Sequence, residues 1–246
     1  MPDLTRFILI RTSHPGNVGA AARAMKVMGF SELVLVAPRF ADVLSQEDTV
    51  AMASGAADIL VRARIVDTLD EALVGVHTAC ATAMTPRDFG PPTAAPREHL
   101  PTLRPGHDAG ERVAFVFGSE RFGMSNDEVY RCQVCLSIPT QPDYGSLNLA
   151  QALQLVAYEW RQTLGGYPVV ERTQTPNRAS LDEVQGALDH WEQTLVALGF
   201  LDPAAPKKLL PRLQQLLGRA ALTREEVHIL RGIARVAAAG GVPRRP

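Results

Sequence analysis

Short unbroken apolar runs recur along the chain at residues 7–10, 33–36, 64–66, 78–81, 113–117 and 134–138. Each has strand length, and none shows the strict in-out alternation of a sheet with one wet face, so the pattern predicts a largely parallel sheet covered on both sides. Between the runs, apolar positions fall at helical spacing over 19–28, 68–73 and 148–164. Together they predict an α/β domain in which ligands bind at the strand-to-helix loops on the carboxyl ends of the strands. The last of these helices is expected to stop at Gly165-Gly166. The polar, proline-containing stretch 167–179 reads as a linker, and a second unit begins at Ser180. Two capping boxes are expected there, Ser180 with Glu183 and Thr223 with Glu226. Leu209, Leu213 and Leu216-Leu217 repeat at helical spacing between them. Trp191, Leu195, Leu198 and Phe200 read as the packing face of this small helical set. The organisation is therefore a domain over 1–166, a linker over 167–179 and a helical extension over 180–246.

Composition changes this picture little. A chain of 246 residues, 46% hydrophobic, suffices for one substantial domain and a smaller appendage. No apolar run reaches the roughly 20 residues needed to span a bilayer, and no secretory segment is recognisable at the N-terminus. Three cysteines, Cys80, Cys132 and Cys135, suit a reducing compartment, and a cytoplasmic protein is expected. Cys132 and Cys135 form a CxxC, but no histidine clusters beside them and Cys135 lies in a strand pattern. They read as structural, and no metal is expected. Charge is more informative by position than by sum. The net charge is −1, yet residues 203–246 carry nine basic side chains against Glu225 and Glu226. This tail, with Lys207, Lys208 and Arg212 at its start, reads either as a polyanion-facing surface or as a solvated helical one.

Three strand-loop-helix junctions hold the candidate chemistry. The first runs from the 7–10 strand into Arg11-Thr12-Ser13-His14-Pro15-Gly16-Asn17, with Arg23 six residues on. The second follows the 113–117 strand as Gly118-Ser119-Glu120-Arg121-Phe122-Gly123. The third follows Ile138 as a loop through Pro142-Asp143-Tyr144-Gly145 into Ser146-Leu147-Asn148. Glycines let a ligand approach the backbone, and Ser146 and Asn148 are both suited to capping a helix. The glycines of the first junction do not make GxGxxG, and Gly118-Ser119 is no part of a GxSxG nucleophile elbow.

In this order and at these separations the junctions resemble the three motifs of the SPOUT superfamily, in its SpoU/TrmH branch of RNA 2′-O-ribose methyltransferases. Within that branch, His14-Pro15-Gly16-Asn17, Pro142-Asp143-Tyr144 and the helical tail are most similar to bacterial enzymes that methylate tRNA. The resemblance covers nearly the whole chain and implies a trefoil-knotted, Rossmann-like methyltransferase domain. It further implies S-adenosylmethionine as methyl donor, tRNA as substrate, and a homodimer whose active sites combine residues of both subunits. The expected catalytic residues are Arg23, Asn17, Glu120 and Ser146. The expected donor-binding residues are Thr82, Ala83, Gly118, Ser119, Glu120, Ile138, Ser146, Leu147 and Asn148. Arg23, Arg87, Arg121, Lys207, Lys208 and Arg212 are the expected RNA contacts.

Methylating a poorly acidic hydroxyl demands above all that donor and acceptor be held in line, worth about 7–11 kcal/mol of the barrier. A guanidinium remains protonated in ordinary protein settings. Arg23 therefore reads as a phosphate clamp or a stabiliser of the developing alkoxide rather than a general base, with a surface salt bridge as the plain alternative. For Glu120 the plain alternative is a local surface arrangement with Arg121. The stretch 85–112, rich in proline and polar residues, reads as a mobile substrate loop. The function expected is 2′-O-methylation of tRNA at the first residue of the anticodon loop. An rRNA 2′-O-methyltransferase and a non-catalytic RNA-binding protein on the same fold are the alternatives.

Overall fold

A computed structural model describes residues 4–83, 89–170 and 176–240. The chain divides into two compact units, Met1–Pro168 and Val169–Pro246.

The first unit is built on seven parallel strands: β1 (Thr5–Ile10), β2 (Glu32–Val36), β3 (Arg64–Val66), β4 (Thr78–Thr82), β5 (Thr93–Ala94), β6 (Val113–Phe117) and β7 (Val134–Leu136). Their order across the sheet is β3-β2-β1-β6-β4-β7-β5. The helices are α1 (Pro15–Val27), α2 (Glu47–Ala53), α3 (Ala57–Arg62), α4 (Leu69–Leu73), α5 (Pro96–Asp108), α6 (Asn126–Tyr130) and α7 (Leu149–Thr163), with a 3-10 turn at Ser54–Ala56.

Successive strand residues face opposite sides, so the apolar runs build two cores. Phe7, Leu9, Leu33, Leu35, Phe115 and Phe117 pack with Val18 and Met25 of α1, Leu100 of α5, and Leu153 and Trp160 of α7. Ile8, Ile10, Val34, Val36, Ala114 and Val116 face the other way, against Leu69 of α4 and Val129 of α6. Each fully buried side chain of this size contributes about 1.5–3 kcal/mol relative to exposure. Even the indole N–H of the buried Trp160 is satisfied, donating to Thr5 Oγ1 at 2.9 Å.

Local chemistry sets the boundaries. Pro15 opens α1 at its first turn, where a missing N–H costs nothing, so this helix starts four residues before the apolar periodicity does. Gly19, within α1, cannot be larger: a Cβ there would lie 2.0 Å from the Thr49 carbonyl oxygen of α2. The C-terminus of α7 closes as expected at Gly165 and Gly166, both at positive φ. The Gly166 N–H donates to the Arg161 carbonyl at 2.8 Å, and that of Gly165 to the Gln162 carbonyl at 3.1 Å.

The stretch 85–112 is corrected by the structure. Residues 84–88 lie outside the described residues, but most of the remainder is β5 and α5 rather than a loop. Pro96 occupies the first turn of α5, and Pro101 and Pro105 lie inside it. Burial of Leu100 and edge contact of His107 with Trp160 at 5.2 Å hold the helix despite two missing N–H donors. The last strand also ends earlier than its apolar run, at Leu136 rather than at 138.

In the second unit, α8 (Leu181–Ala197) packs on α10 (Arg224–Ala238) through Ala187, Leu188, Val227 and Ala234. Thr194 Oγ1 donates to the His190 carbonyl at 2.8 Å. Both expected capping boxes form: the Ser180 N–H donates to Glu183 and the Thr223 N–H to Glu226, at 2.8 and 2.7 Å. The helix α9 (Leu209–Ala220) has no fully buried residue. The expected packing face is only half right. Trp191 and Leu195 are half-buried, whereas Leu198 and Phe200 lie beyond the helix end and are 53% and 70% exposed.

Candidate active site

Strand order brings the three junctions together. β1 and β6 are hydrogen-bonded neighbours in the register Leu9↔Phe117, so the loops after them emerge side by side. Next to β6 lies β4, and beyond it β7, whose loop leads into α7.

The second junction is a tight turn. The Ser119 N–H donates to the Gly123 carbonyl at 3.2 Å, and the Gly123 N–H to the Ser119 carbonyl at 2.9 Å. Gly123 supplies a φ of 65°. At Gly118 a Cβ would meet the Gly123 carbonyl carbon at 2.2 Å, so the turn folds back on this position only because it has no side chain.

Out of that turn Glu120 reaches the first junction. Its Oε1 accepts from Asn17 Nδ2 at 2.8 Å, and its Oε2 accepts from the Ser13 N–H and Oγ at 2.9 and 2.8 Å. Burial pushes the Glu120 carboxyl upward, but the bonds from Asn17 and Ser13 outweigh it and hold the group below the usual carboxylate value. The chain of bonds continues: Asn17 Oδ1 accepts from Asn148 Nδ2 at 2.9 Å, and Asn148 Oδ1 accepts from the N–H groups of Ala150 and Gln151 as N-cap of α7. One continuous network thus ties all three junctions. A bidentate ion pair adds a second tie, Arg11 to Glu128, with Glu128 also closing the capping box of α6.

Beside this network lies a cavity of about 300 Å³. Thr82, Ala83, Gly118, Ser119, Glu120, Ile138, Ser146 and Leu147, all expected as donor-binding residues, line it. The same wall includes Thr140 and, as an apolar side, Phe117, Met124, Leu136, Leu149 and Ala152. Thr82 is fixed by donation of its hydroxyl to the Val116 carbonyl at 2.9 Å. Asn148, also expected there, instead lines an adjoining groove with His14, Asn17 and Arg23. Of the two expected caps only Asn148 acts as one, and Ser146 lies two positions before it.

Arg23 is exposed on α1 and has no ion pair or hydrogen bond among the described residues, so the surface salt bridge is not what occupies it. Nor does Glu120 pair with Arg121, whose guanidinium lies 5.7 Å from the Phe122 ring centre. Arg87 falls outside the described residues. Lys207, Lys208 and Arg212 belong to the second unit, where all three are exposed. The three cysteines are buried; burial raises Cys80 and pushes Cys132 up to about 12, which keeps these two as protonated thiols. Among the described residues no cluster suited to a metal ion occurs.

Ser13 is the residue that sequence reasoning passed over. It sits in the first junction but precedes the more conspicuous His14-Pro15-Gly16, and only the β1–β6 pairing reveals what it faces.

Comparison with known proteins bears on the whole chain. Residues 5–158 match the model of the SpoU rRNA Methylase family, and residues 182–242 match that of the tRNA methyltransferase TrmJ, C-terminal domain. A tRNA (cytidine/uridine/adenosine-2′-O-)-methyltransferase TrmJ of Pseudomonas aeruginosa is 44% identical over 242 residues, 95% of this chain and 93% of that one. The tRNA (cytidine/uridine-2′-O-)-methyltransferase TrmJ of Escherichia coli K12 is 40% identical over 233 residues, 93% and 92% of the two chains. Among solved structures, TrmJ from Z. mobilis superposes with a TM-score of 0.79 at 31% identity, covering 95% of this chain and 99% of that one. The ordered junctions, the matched tail and the identity across nearly the full length place this chain in the SpoU methylase family, in the branch that carries the TrmJ C-terminal domain.

Proposed function

We propose that this protein transfers a methyl group from S-adenosylmethionine to a ribose 2′-hydroxyl of tRNA, at the first residue of the anticodon loop. The observation that carries it is the Glu120–Asn17–Asn148 network standing beside a cavity walled by the second and third junctions. The cavity suits the donor: an apolar side for a base, Thr82, Ser119 and Ser146 among its lining residues, and a backbone at Gly118 with no side chain in the way. Bound there, S-adenosylmethionine would supply an electrophilic methyl group for the ribose 2′-oxygen, its sulfur keeping the electron pair of the broken bond as the neutral thioether and the hydroxyl proton passing to solvent. Glu120 fixes the Ser13–Asn17 loop as an ionised acceptor, and Arg23 offers a permanent positive charge to a phosphate or to the developing alkoxide.

Arg23 does not line the cavity of its own chain. That separation supports a homodimer in which residues of the first junction complete the cavity of the other subunit, and the knotted topology belongs to the same proposal. We assign residues 1–166 to methyl transfer and 180–246 to tRNA, with Arg87, Arg121, Lys207, Lys208 and Arg212 as RNA contacts and the cytoplasm as the place of action. The matched C-terminal domain favours tRNA over rRNA. No helix of the described residues is long and apolar enough to cross a membrane.

Incubation with radiolabelled S-adenosylmethionine and unmodified tRNA transcripts, followed by mapping of ribose methylation, tests this directly. Arg23→Ala is expected to lower kcat by about 100-fold or more while donor affinity stays within twofold. Near-wild-type turnover in that variant would remove Arg23 from the mechanism, and absence of any 2′-O-methylation by the parent would overturn the activity.

A further inference from the structure

Two aromatic rings stand in solvent on the two loops that wall the cavity. Phe122 is 82% exposed and Tyr144 is 78% exposed, whereas Phe7, Phe30, Phe115 and Phe117 of the same unit are buried. Aromatic residues make up only 6% of the chain. A single exposed ring is common on a protein surface; what sets these two apart is that they stand on the two loops that wall one cavity.

Neither ring is on a loose tip. Phe122 lies within the Ser119–Gly123 turn, and its own N–H donates to Ser119 Oγ at 3.2 Å. Tyr144 closes a second turn, its N–H donating to the Gln141 carbonyl at 3.1 Å, with the Gln141 side-chain amide donating to Asp143 at 3.2 Å. The flanking residues Glu120 and Gly123 on one loop, and Gly145 and Ser146 on the other, line the cavity itself. The Arg121 guanidinium over Phe122 adds a cationic plane to the aromatic one.

We infer that Phe122 and Tyr144 are stacking platforms for unpaired bases flanking the methylated nucleotide, with the Arg121–Phe122 pair forming one of them. The inference rests on the proposed action on an RNA loop. To present a ribose hydroxyl in line with the donor, a loop nucleotide turns away from its neighbours, which lose stacking partners; single-stranded RNA is held by offering such bases aromatic or guanidinium faces. Stacking is tolerant of base identity, so these rings select an unpaired loop rather than a sequence. Continuity with the cavity wall is what favours RNA over a protein partner at this place.

The test uses the full-length protein and an anticodon stem-loop RNA carrying 2-aminopurine beside the target nucleotide. Binding to the parent is expected to quench the fluorescence. Phe122→Ala and Tyr144→Ala should each abolish part of the quench and weaken RNA affinity about tenfold, with S-adenosylmethionine affinity and melting temperature unchanged, and Phe122→Trp should restore both RNA readouts. An unquenched parent complex, quenching and affinity unchanged in both alanine variants, or loss of donor affinity in step with RNA affinity would each overturn the inference. So would a change in oligomeric state of the alanine variants without RNA, which would assign the rings to a contact between copies. Quenching by a parent that transfers no methyl group would support the platforms and sink the activity alone.

Discussion

A carboxylate that accepts from three donors in a half-buried loop is stabilising only while it is ionised. Because those bonds depress the Glu120 pKa in the folded protein, its contribution is fully present above the unfolded carboxylate value, about 4.3, and is lost as pH falls through the folded one. Replacing it by Gln turns an acceptor into an amide whose NH2 must face the donors of Ser13 or Asn17. Glu120→Gln is therefore expected to be less stable than the parent by about 1 kcal/mol at pH 7, a figure kept small for solvent screening of the half-exposed group. Thermal melts across pH should show the difference shrinking below about pH 4. A constant difference down to pH 3 would mean that Glu120 acts through shape and not charge.

Among the elements, α7 carries the most. Its N-cap Asn148 satisfies two backbone N–H groups and also holds Asn17, so Asn148→Ala should cost about 1–2 kcal/mol, read as a lower urea midpoint at unchanged m-value, and should loosen the first junction. This helix was legible in the sequence from cap to glycine stop, because both its ends are fixed by local chemistry. So were six of the seven strands among the described residues: four of them, β1, β2, β6 and β7, are almost wholly buried apolar runs, whereas Arg64–Val66 is largely exposed and was marked only by its apolar pair Ile65-Val66. The missing strand and α5 were not legible: Thr93–Ala94 is two residues long, and Pro101 and Pro105 argue locally against a helix that Leu100 and the contact of His107 with Trp160 hold from outside. The cavity residues were readable from ordered motifs. Ser13, and the departure of Asn148 to a neighbouring groove, needed the strand order, which no local pattern contains.

In the whole molecule, charge is divided unevenly between the units. Lys207, Lys208 and Arg212 are exposed and make no ion pair among the described residues, while Arg224 is engaged with Glu183. Replacing the three free cations by Gln should lower the slope of log Kd against log salt for tRNA by about 2–3, with donor affinity unchanged. A salt slope equal to the parent's, together with a shift to monomer in light scattering, would assign this tail to holding subunits together. The bonds of the site also span great distances along the chain: Ser13 meets Glu120 across 107 positions, and Asn17 meets Asn148 across 131. On the ribosome, at about 5–20 residues per second, Asn17 waits roughly 7–26 s for its second partner to be made. Glu120 can hold the first junction sooner, but until residues 145–149 have left the exit tunnel one wall of the cavity is missing, so a nascent chain acquires its donor pocket only after more than half of it has been translated.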